Sequence, residues 1–267
     1  MHEMSNENLD IAAKNIWNCW NTGKKLDMLP IDLKPRSTED AYLVQQQVIQ
    51  NSKDHQIGWK IAATSEAGQK HIGVDGPIAG ALLKSKVKKN GAKINLKTNL
   101  LKVAELEFAF RLSEDIAPKD SKYKKKEISQ MIDTLIPTIE IPDSRFYHFL
   151  SGGQEQIIAD NACAGFLILG DPIEINGEEL NLVNHEVLAY QDNELTLTKG
   201  IGSNVLGDPL LALTWIANEL IAHNYFLRKN DIVTTGTCIT PIQLTNTNDL
   251  TGDFGVYGKV SAKFNDY

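Results

Sequence analysis

The chain has 267 residues, 42% hydrophobic and 23% charged, with 19 Gly and 9 Pro. These are globular values and exclude a disordered, collagen-like or low-complexity protein. The balance of 27 Lys+Arg against 34 Asp+Glu leaves a formal charge of -7, which argues against nucleic acid or an anionic membrane as main partner.

The three cysteines, Cys19, Cys163 and Cys238, are far apart and form no CxxC pair. They suit a reducing compartment and read as small apolar fillers. The N-terminus, MHEMSNENLD, is polar and acidic, without the pattern of a signal peptide. No apolar segment is expected to approach the ~20 residues of a membrane helix, so the expected location is cytoplasmic.

Leu9, Ala12, Ala13, Ile16, Trp17 and Trp20 recur at helical spacing and predict an amphipathic helix ending near Asn21-Thr22-Gly23. Ser37-Thr38-Glu39-Asp40 predicts the start of a second helix, with Ala41, Val44 and Val48 inward. From residue 57, glycines 58, 68, 73, 76, 80 and 91 mark turns between short strands and a brief helix. The lysine-rich stretches 84–97 and 119–126 read as solvated loops. A helix is predicted over 127–135, with Ile128, Met131, Ile132 and Leu135 inward. Strands are predicted at 103–112, 138–141, 165–169, 195–198, 232–235 and 256–264. Asp208-Pro209, as N-cap and first helical residue, opens a helix to Ile221 that is apolar nearly all round and therefore buried. Helices first, then a strand-rich part, predict an α+β protein in one continuous unit.

In the predicted strand 103–112, alternate residues share a face. Ala104, Leu106, Phe108, Phe110 and Leu112 form the apolar face, and Glu105 and Glu107 project together from the other. Their Cα atoms would lie about 6.6–6.8 Å apart, close enough for both carboxylates to reach one hard cation. Without a cation they repel, and one would protonate. A third acid, Glu140, lies within Thr138-Ile139-Glu140-Ile141, between prolines 137 and 142. Spacing alone leaves open a simpler arrangement, with Glu105 and Glu107 facing solvent and Glu140 paired to a lysine. An all-oxygen set favours Mg²⁺, Mn²⁺ or Ca²⁺ over zinc, and the six histidines form neither HxxxH nor HxH.

Lys60 stands between Trp59 and Ile61. A desolvated lysine there would have a lowered pKa and could serve as an acid or base; the alternative is a surface lysine with a buried stem. Asp160-Asn161 interrupts apolar surroundings, which points to a buried hydrogen-bond network or to a ligand contact. Gly200, Gly202, Gly207 and Gly236 could bring backbone amides to an anionic ligand, but they match neither phosphate-loop nor GxGxxG patterns, and there is no GxSxG elbow.

Taken in order, several short strings carry a resemblance. They are Gly58-Trp59-Lys60-Ile61, Thr64-Ser65, Gly73-Val74-Asp75-Gly76-Pro77, Glu105-x-Glu107, Glu140-Ile141-x-Asp143-Ser144-Arg145 and Ala159-Asp160-Asn161-Ala162. Gly207-Asp208-Pro209, Leu213-x-Trp215-x-Ala217-Asn218, Thr235-Gly236-Thr237 and Asp253-Phe254-Gly255 follow. The set resembles the 2-keto-4-pentenoate hydratase and 4-oxalocrotonate decarboxylase branch of the fumarylacetoacetate hydrolase superfamily, over about residues 10–265.

The resemblance implies a mixed β-roll core, with a helical N-terminal portion at 1–80 packed on a catalytic portion at 81–267, in a homo-oligomer. It implies Mg²⁺ or Mn²⁺ on Glu105, Glu107 and Glu140, and Lys60 as the active-site lysine. Ser65, Asn161, Gly236 and Thr237 would contact substrate. The implied reaction is hydration of a 2-hydroxy-2,4-dienoate, or 2-oxo-4-enoate, to a 4-hydroxy-2-oxo acid through a metal-chelated enolate. Decarboxylation of a 2-oxo acid, acylpyruvate hydrolysis, or non-catalytic 2-oxo-acid binding would suit the same scaffold.

The chain departs from the branch at Pro77-Ile78-Ala79-Gly80, where Ile78 replaces the Asp of a Pro-Asp-x-Gly turn. Asp75 and Asp160 are the acids expected to take over its proton-transfer role. Ala62-Ala63 replaces Gly-Leu, and Thr237-Cys238-Ile239-Thr240-Pro241 lacks the Arg of relatives that handle a second carboxylate. A monocarboxylate, or an otherwise uncharged tail, is the expected substrate class.

Overall fold

A computed structural model describes residues 4–175, 180–192 and 194–265. Its N-terminal helices are α1 (Asn6–Thr22) and α2 (Thr38–Ser52), followed by β1 (Gln56–Ala62), α3 (Glu66–Ile72) and β2 (Ile78–Leu83). Next come β3 (Val87–Lys89), β4 (Ala92–Asn95), β5 (Val103–Leu112), α4 (Lys125–Ile128) and β6 (Ile132–Ile141). The chain continues through α5 (Gln154–Ala159), β7 (Phe166–Leu169), β8 (Ile173–Glu174), β9 (Glu186–Gln191) and β10 (Glu194–Ile201). It closes with α6 (Pro209–Ala222), β11 (Ile232–Thr237), β12 (Ile242–Gln243), β13 (Asp249–Asp253) and β14 (Lys259–Asn265).

The amphipathic pattern of α1 is realised. Ser5 caps it by accepting from the Asn8 amide, and Gly23 ends it in the left-handed region at φ 75°. Its face of Leu9, Ala12, Ala13, Ile16 and Trp20 packs on α2, which Ser37 caps through the Asp40 amide. Both helices join one hydrophobic cluster that runs from Met4 to Phe264.

Two mixed sheets form the α+β body. The larger has the order β2-β1-β11-β5-β6-β7-β3, with β12 added on β5 and β8 on β6. The smaller has the order β10-β9-β13-β14-β4, and its β13 and β14 pack against β6. Most pairs are antiparallel; β1 with β11, β3 with β7 and β14 with β4 are parallel. The alternation read in β5 holds: Ala104, Leu106, Phe108, Phe110 and Leu112 are all fully buried. Phe108 meets Phe254 edge-on at 5.1 Å, with His185 and Tyr257 each at 5.9 Å. β2 crosses the expected portion boundary at residue 80, and β1 is interior to the larger sheet.

The helix predicted over 127–135 is corrected. Only Lys125–Ile128 is helical, and Ile132 begins the ten-residue strand β6. Short apolar runs satisfy both periods, and here Ile132, Thr134, Ile136, Thr138 and Ile139 favour the pleated form. The β5 ladder supplies backbone partners from Leu112↔Ile132 to Glu105↔Glu140. The predicted strand 256–264 likewise splits into a 3-10 turn, Gly255–Tyr257, and β14.

A second correction concerns apolar length. Residues 202–222 reach a mean hydropathy of 1.3 over 21 residues, so by length and composition they resemble a membrane span. They divide into a 3-10 turn, Gly202–Asn204, and the 14-residue α6. At 1.5 Å per residue α6 extends about 21 Å, short of a ~30 Å hydrocarbon core. It buries Leu210, Leu213, Ile216, Ala217 and Leu220 in the protein.

Candidate active site

Register brings the three acids together. Glu105 on β5 pairs directly with Glu140 on β6, and Glu107, two residues along, shares the face of Glu105. One carboxylate oxygen from each lies within 4.8 Å of the others. Glu107 and Glu140 are buried, and half-buried Glu105 marks the open side.

Lys60 reaches the same face from β1, which lies beside β11 in the register Lys60↔Thr234. Its Nζ is 3.3 Å from Glu140 Oε1 and donates to the Ala162 carbonyl at 3.2 Å. The side chain is 2% exposed, so the surface-lysine alternative does not apply.

The electrostatics follow from one cation among three acids. Burial, then repulsion from Glu105, pushes Glu107 up to about 8. Burial also holds Glu140 well above the usual carboxylate range, against the pull of Lys60. For Lys60, burial works to lower the pKa, but Glu140, Glu105 and Glu107 outweigh it and raise it. This corrects the expected lowered lysine. A positive ion in the cluster would reverse the balance by neutralising the acids that hold the proton on Lys60.

The carboxylates fit a hard cation. Glu107 Oε1 and Glu140 Oε2 are buried and accept no hydrogen bond, an arrangement that is costly unless a cation or a proton compensates it. Glu107 Oε2 accepts the Gly236 amide at 3.0 Å, which fixes the carboxylate plane. Gly236 is required there: its φ is 100°, and a Cβ would lie 2.0 Å from Thr64 Oγ1.

The other expected site residues divide between local structure and the site's surroundings. Ser65 caps α3 by accepting from the Gly68 amide at 3.1 Å, and Thr237 Oγ1 donates to its neighbour Ile239's carbonyl at 2.8 Å. Asp75 is exposed on the loop before β2, with its amide donating to Gln154 Oε1. Ile78, the replacement for the branch's acid, is buried on β2.

Asp160 and Asn161 resolve as a buried network. Asp160 accepts from Arg145 Nε, the Arg145 amide (3.1 Å) and Ser144 Oγ (2.7 Å). Burial raises its pKa while Arg145 pulls the other way. In place of the expected proton relay, Asp160 is therefore the anchor of a fully buried ion pair. Asn161 likewise spends its side chain on β2, accepting from the Ala81 amide at 2.7 Å and donating to the Ala81 carbonyl at 2.9 Å.

Asn161, Ala162 and Cys163 all adopt positive φ, at 53°, 49° and 56°. Such residues cost on the order of 1–3 kcal/mol each and persist only where the surroundings fix them. Sequence reasoning quoted Arg145 and Ala162 within motifs but gave neither a task. Thr234 was not singled out; its buried hydroxyl acts on Glu107, opposing the rise in its pKa, and its strand position pairs with Lys60.

Comparison with known proteins adds kinship to this geometry. No family model matches the chain. It is 30% identical over 188 residues to 2-hydroxypent-2,4-dienoate hydratase of Pseudomonas putida, covering 69% of this chain and 82% of that one. It is 27% identical over 237 residues to 2-keto-4-pentenoate hydratase of Paraburkholderia xenovorans (strain LB400), covering 87% and 86%. Among solved structures, 4-oxalocrotonate decarboxylase from Pseudomonas putida G7, complexed with magnesium and adipate, superposes with a TM-score of 0.90 at 24% identity, covering 99% of this chain and all of that one. That likeness establishes the fold, and the sequence kinship establishes the lineage: the chain belongs to the 2-keto-4-pentenoate hydratase family.

Proposed function

We propose that the protein is a metal-dependent hydro-lyase that hydrates a 2-hydroxy-2,4-dienoate to a 4-hydroxy-2-oxo acid. The observation that carries this reading is the convergence of Glu105, Glu107 and Glu140 with buried Lys60 on one sheet face. Relatives named as hydratases support the reaction class, and the magnesium in the decarboxylase structure supports a divalent cation.

Glu105, Glu107 and Glu140 would hold Mg²⁺ or Mn²⁺, which supplies a Lewis acid for the carboxylate and 2-oxo oxygen of the substrate. Lys60 moves the proton. Of its three N–H donors, one is committed to the Ala162 carbonyl and one faces Glu140, which leaves one for the carbon framework. Nζ delivers a proton to C5 while the 2-hydroxyl gives its own proton to solvent, which ketonises the dienol to the 2-oxo-3-enoate. Water then adds its hydroxyl at C4 and its proton at C3. The Gly236 amide keeps Glu107 in place throughout, and Ser65 and Thr237 border the substrate. With Asp160 committed to Arg145, exposed Asp75 is the acid left to assist at the entrance.

A second reading, decarboxylation of a 2-oxo acid, draws on Ile78, which puts an apolar side chain where the branch's hydratases carry an acid. A panel of 2-oxo and 2-hydroxydienoic acids with product identification separates the two. Hydration yields a 4-hydroxy-2-oxo acid, and decarboxylation releases CO₂. A subunit of a homo-oligomer, with residues 1–80 packed on the catalytic portion 81–267, completes the proposal.

A further inference from the structure

The buried Arg145 touches both ends of the left-handed turn Asn161–Cys163. Its Nε and Nη2 donate to the side chain and carbonyl of Asp160, just before the turn, and its Nη1 donates to the Ala164 carbonyl, just after it, at 2.7 Å. The first residue of the turn is fixed separately by the two Asn161–Ala81 bonds, which occupy backbone groups on the outer edge of β2. Gly80, the cross-strand partner of Lys60, lets the turn close in, since a Cβ there would lie 2.4 Å from the Asn161 carbonyl. Three strained residues, one glycine and two polar clamps thus converge on one outcome: the Ala162 carbonyl stands 3.2 Å from Lys60 Nζ.

From this we infer that the Asn161–Cys163 turn, clamped by Arg145 and Asn161, is the positioning element for Lys60. A carbonyl accepts an N–H from an ammonium and from a neutral amine alike. Being backbone of a clamped turn, the Ala162 carbonyl therefore fixes Nζ at one point, whereas Glu140 is a side chain that must also serve the cation. Without that acceptor, Glu140 is the partner that remains to Nζ among the described residues, at 3.3 Å. Asn161 and Arg145 are positioning residues, acting on the reaction through Ala162 and Lys60. The inference rests on the hydratase reading for its kinetic consequence, but not for its structural one.

The test is Asn161→Gly, which tolerates the positive φ and so removes the clamp without adding backbone strain. Its crystal structure should show Lys60 Nζ withdrawn from the Ala162 carbonyl or spread over two rotamers. With Mg²⁺ and a 2-hydroxydienoate, kcat should fall about 10- to 100-fold, the scale of an ångström-level misplacement. KM and the Mg²⁺ affinity by calorimetry should stay within about twofold of wild type, a split that general loosening would not produce. Lys60 in its original place with unchanged kcat would overturn the inference, and so would equal losses of kcat and Mg²⁺ affinity. If Asn161→Gly does not fold, Ala162→Gly, which relaxes the turn at its centre, is read by the same criteria. A wild type that turns over no member of the substrate panel would refute the hydratase reading alone, and the position of Lys60 in the variant would still decide this one.

Discussion

Glu105 and Glu140 face each other in register across the β5–β6 pair. Like charges directly opposite on adjacent strands are destabilising, and here Glu107 adds a third on the same face. The fold places this repulsion where the carboxylates are most buried, beside a single lysine. Such a cluster trades stability of the metal-free protein for affinity toward a cation.

The first prediction is that trade. Glu107→Gln should abolish calorimetrically detectable Mg²⁺ binding while leaving the metal-free fold intact. Above pH 8, where Glu107 carries its charge, the metal-free Tm should rise, by about 2–4 °C for each kcal/mol of relieved repulsion. A metal-free Tm several degrees below wild type would show that Glu107 is instead satisfied in the native protein.

Proton linkage gives a second. Glu107 titrates near 8 in the fold, pushed up by burial and by Glu105, against an ordinary 4.5. Between those values the folded protein binds more protons than the unfolded chain, so Glu107 makes metal-free stability fall as pH rises. Metal must displace that proton, so Mg²⁺ affinity should increase from pH 6 to above 8. Calorimetry in buffers of different ionisation enthalpy should show proton release at pH 7. Affinity independent of pH would contradict this account of Glu107.

Lys60→Met supplies a third. It should retain Mg²⁺ binding and lose turnover by about 10²- to 10⁴-fold, the range of a positioned acid–base group. Turnover close to wild type would remove Lys60 from the reaction.

The fourth concerns Gly236. A methyl group there meets Thr64 Oγ1 at 2.0 Å and carries the φ penalty as well. Gly236→Ala should shift β11, withdraw the amide from Glu107 Oε2 and weaken Mg²⁺ binding at least tenfold. Thr64→Ala in the same chain removes the two nearest atoms, Oγ1 and Cγ2, but leaves Cβ at 2.8 Å, so it eases the collision and should restore part of the loss; no restoration would point to the φ penalty and the remaining Cβ contact as the cause.

Much of this site was legible because it rests on local patterns. The period-two alternation from Ala104 to Leu112 put Glu105 and Glu107 on one face before any partner was known, and α1 and α2 announced themselves through the apolar spacing from Leu9 to Trp20, Gly23 and Ser37. What stayed hidden was long-range. The pairing of Glu140 with Glu105 depends on a register that the 34 residues of intervening chain do not encode locally. The helix expected over 127–135 failed because isoleucines spaced for a helix also suit a strand, and the β5 ladder decided between them. For Asp160 the sequence left a buried network and a ligand contact open, because Arg145, which lies 15 residues earlier, carries no sequence mark of a buried staple. The sign of the Lys60 shift was missed for a related reason: burial is readable from Trp59 and Ile61, whereas three opposing carboxylates emerge only in three dimensions.

The most direct test follows the ultraviolet absorbance of 2-hydroxypenta-2,4-dienoate with purified protein, in Mg²⁺ and in excess chelator. The account predicts that the protein accelerates absorbance loss only with Mg²⁺, that a 4-hydroxy-2-oxo acid is the product, and that Glu105→Ala/Glu107→Ala abolishes the effect. Equal rates with and without chelator, or no acceleration over buffer, would contradict it.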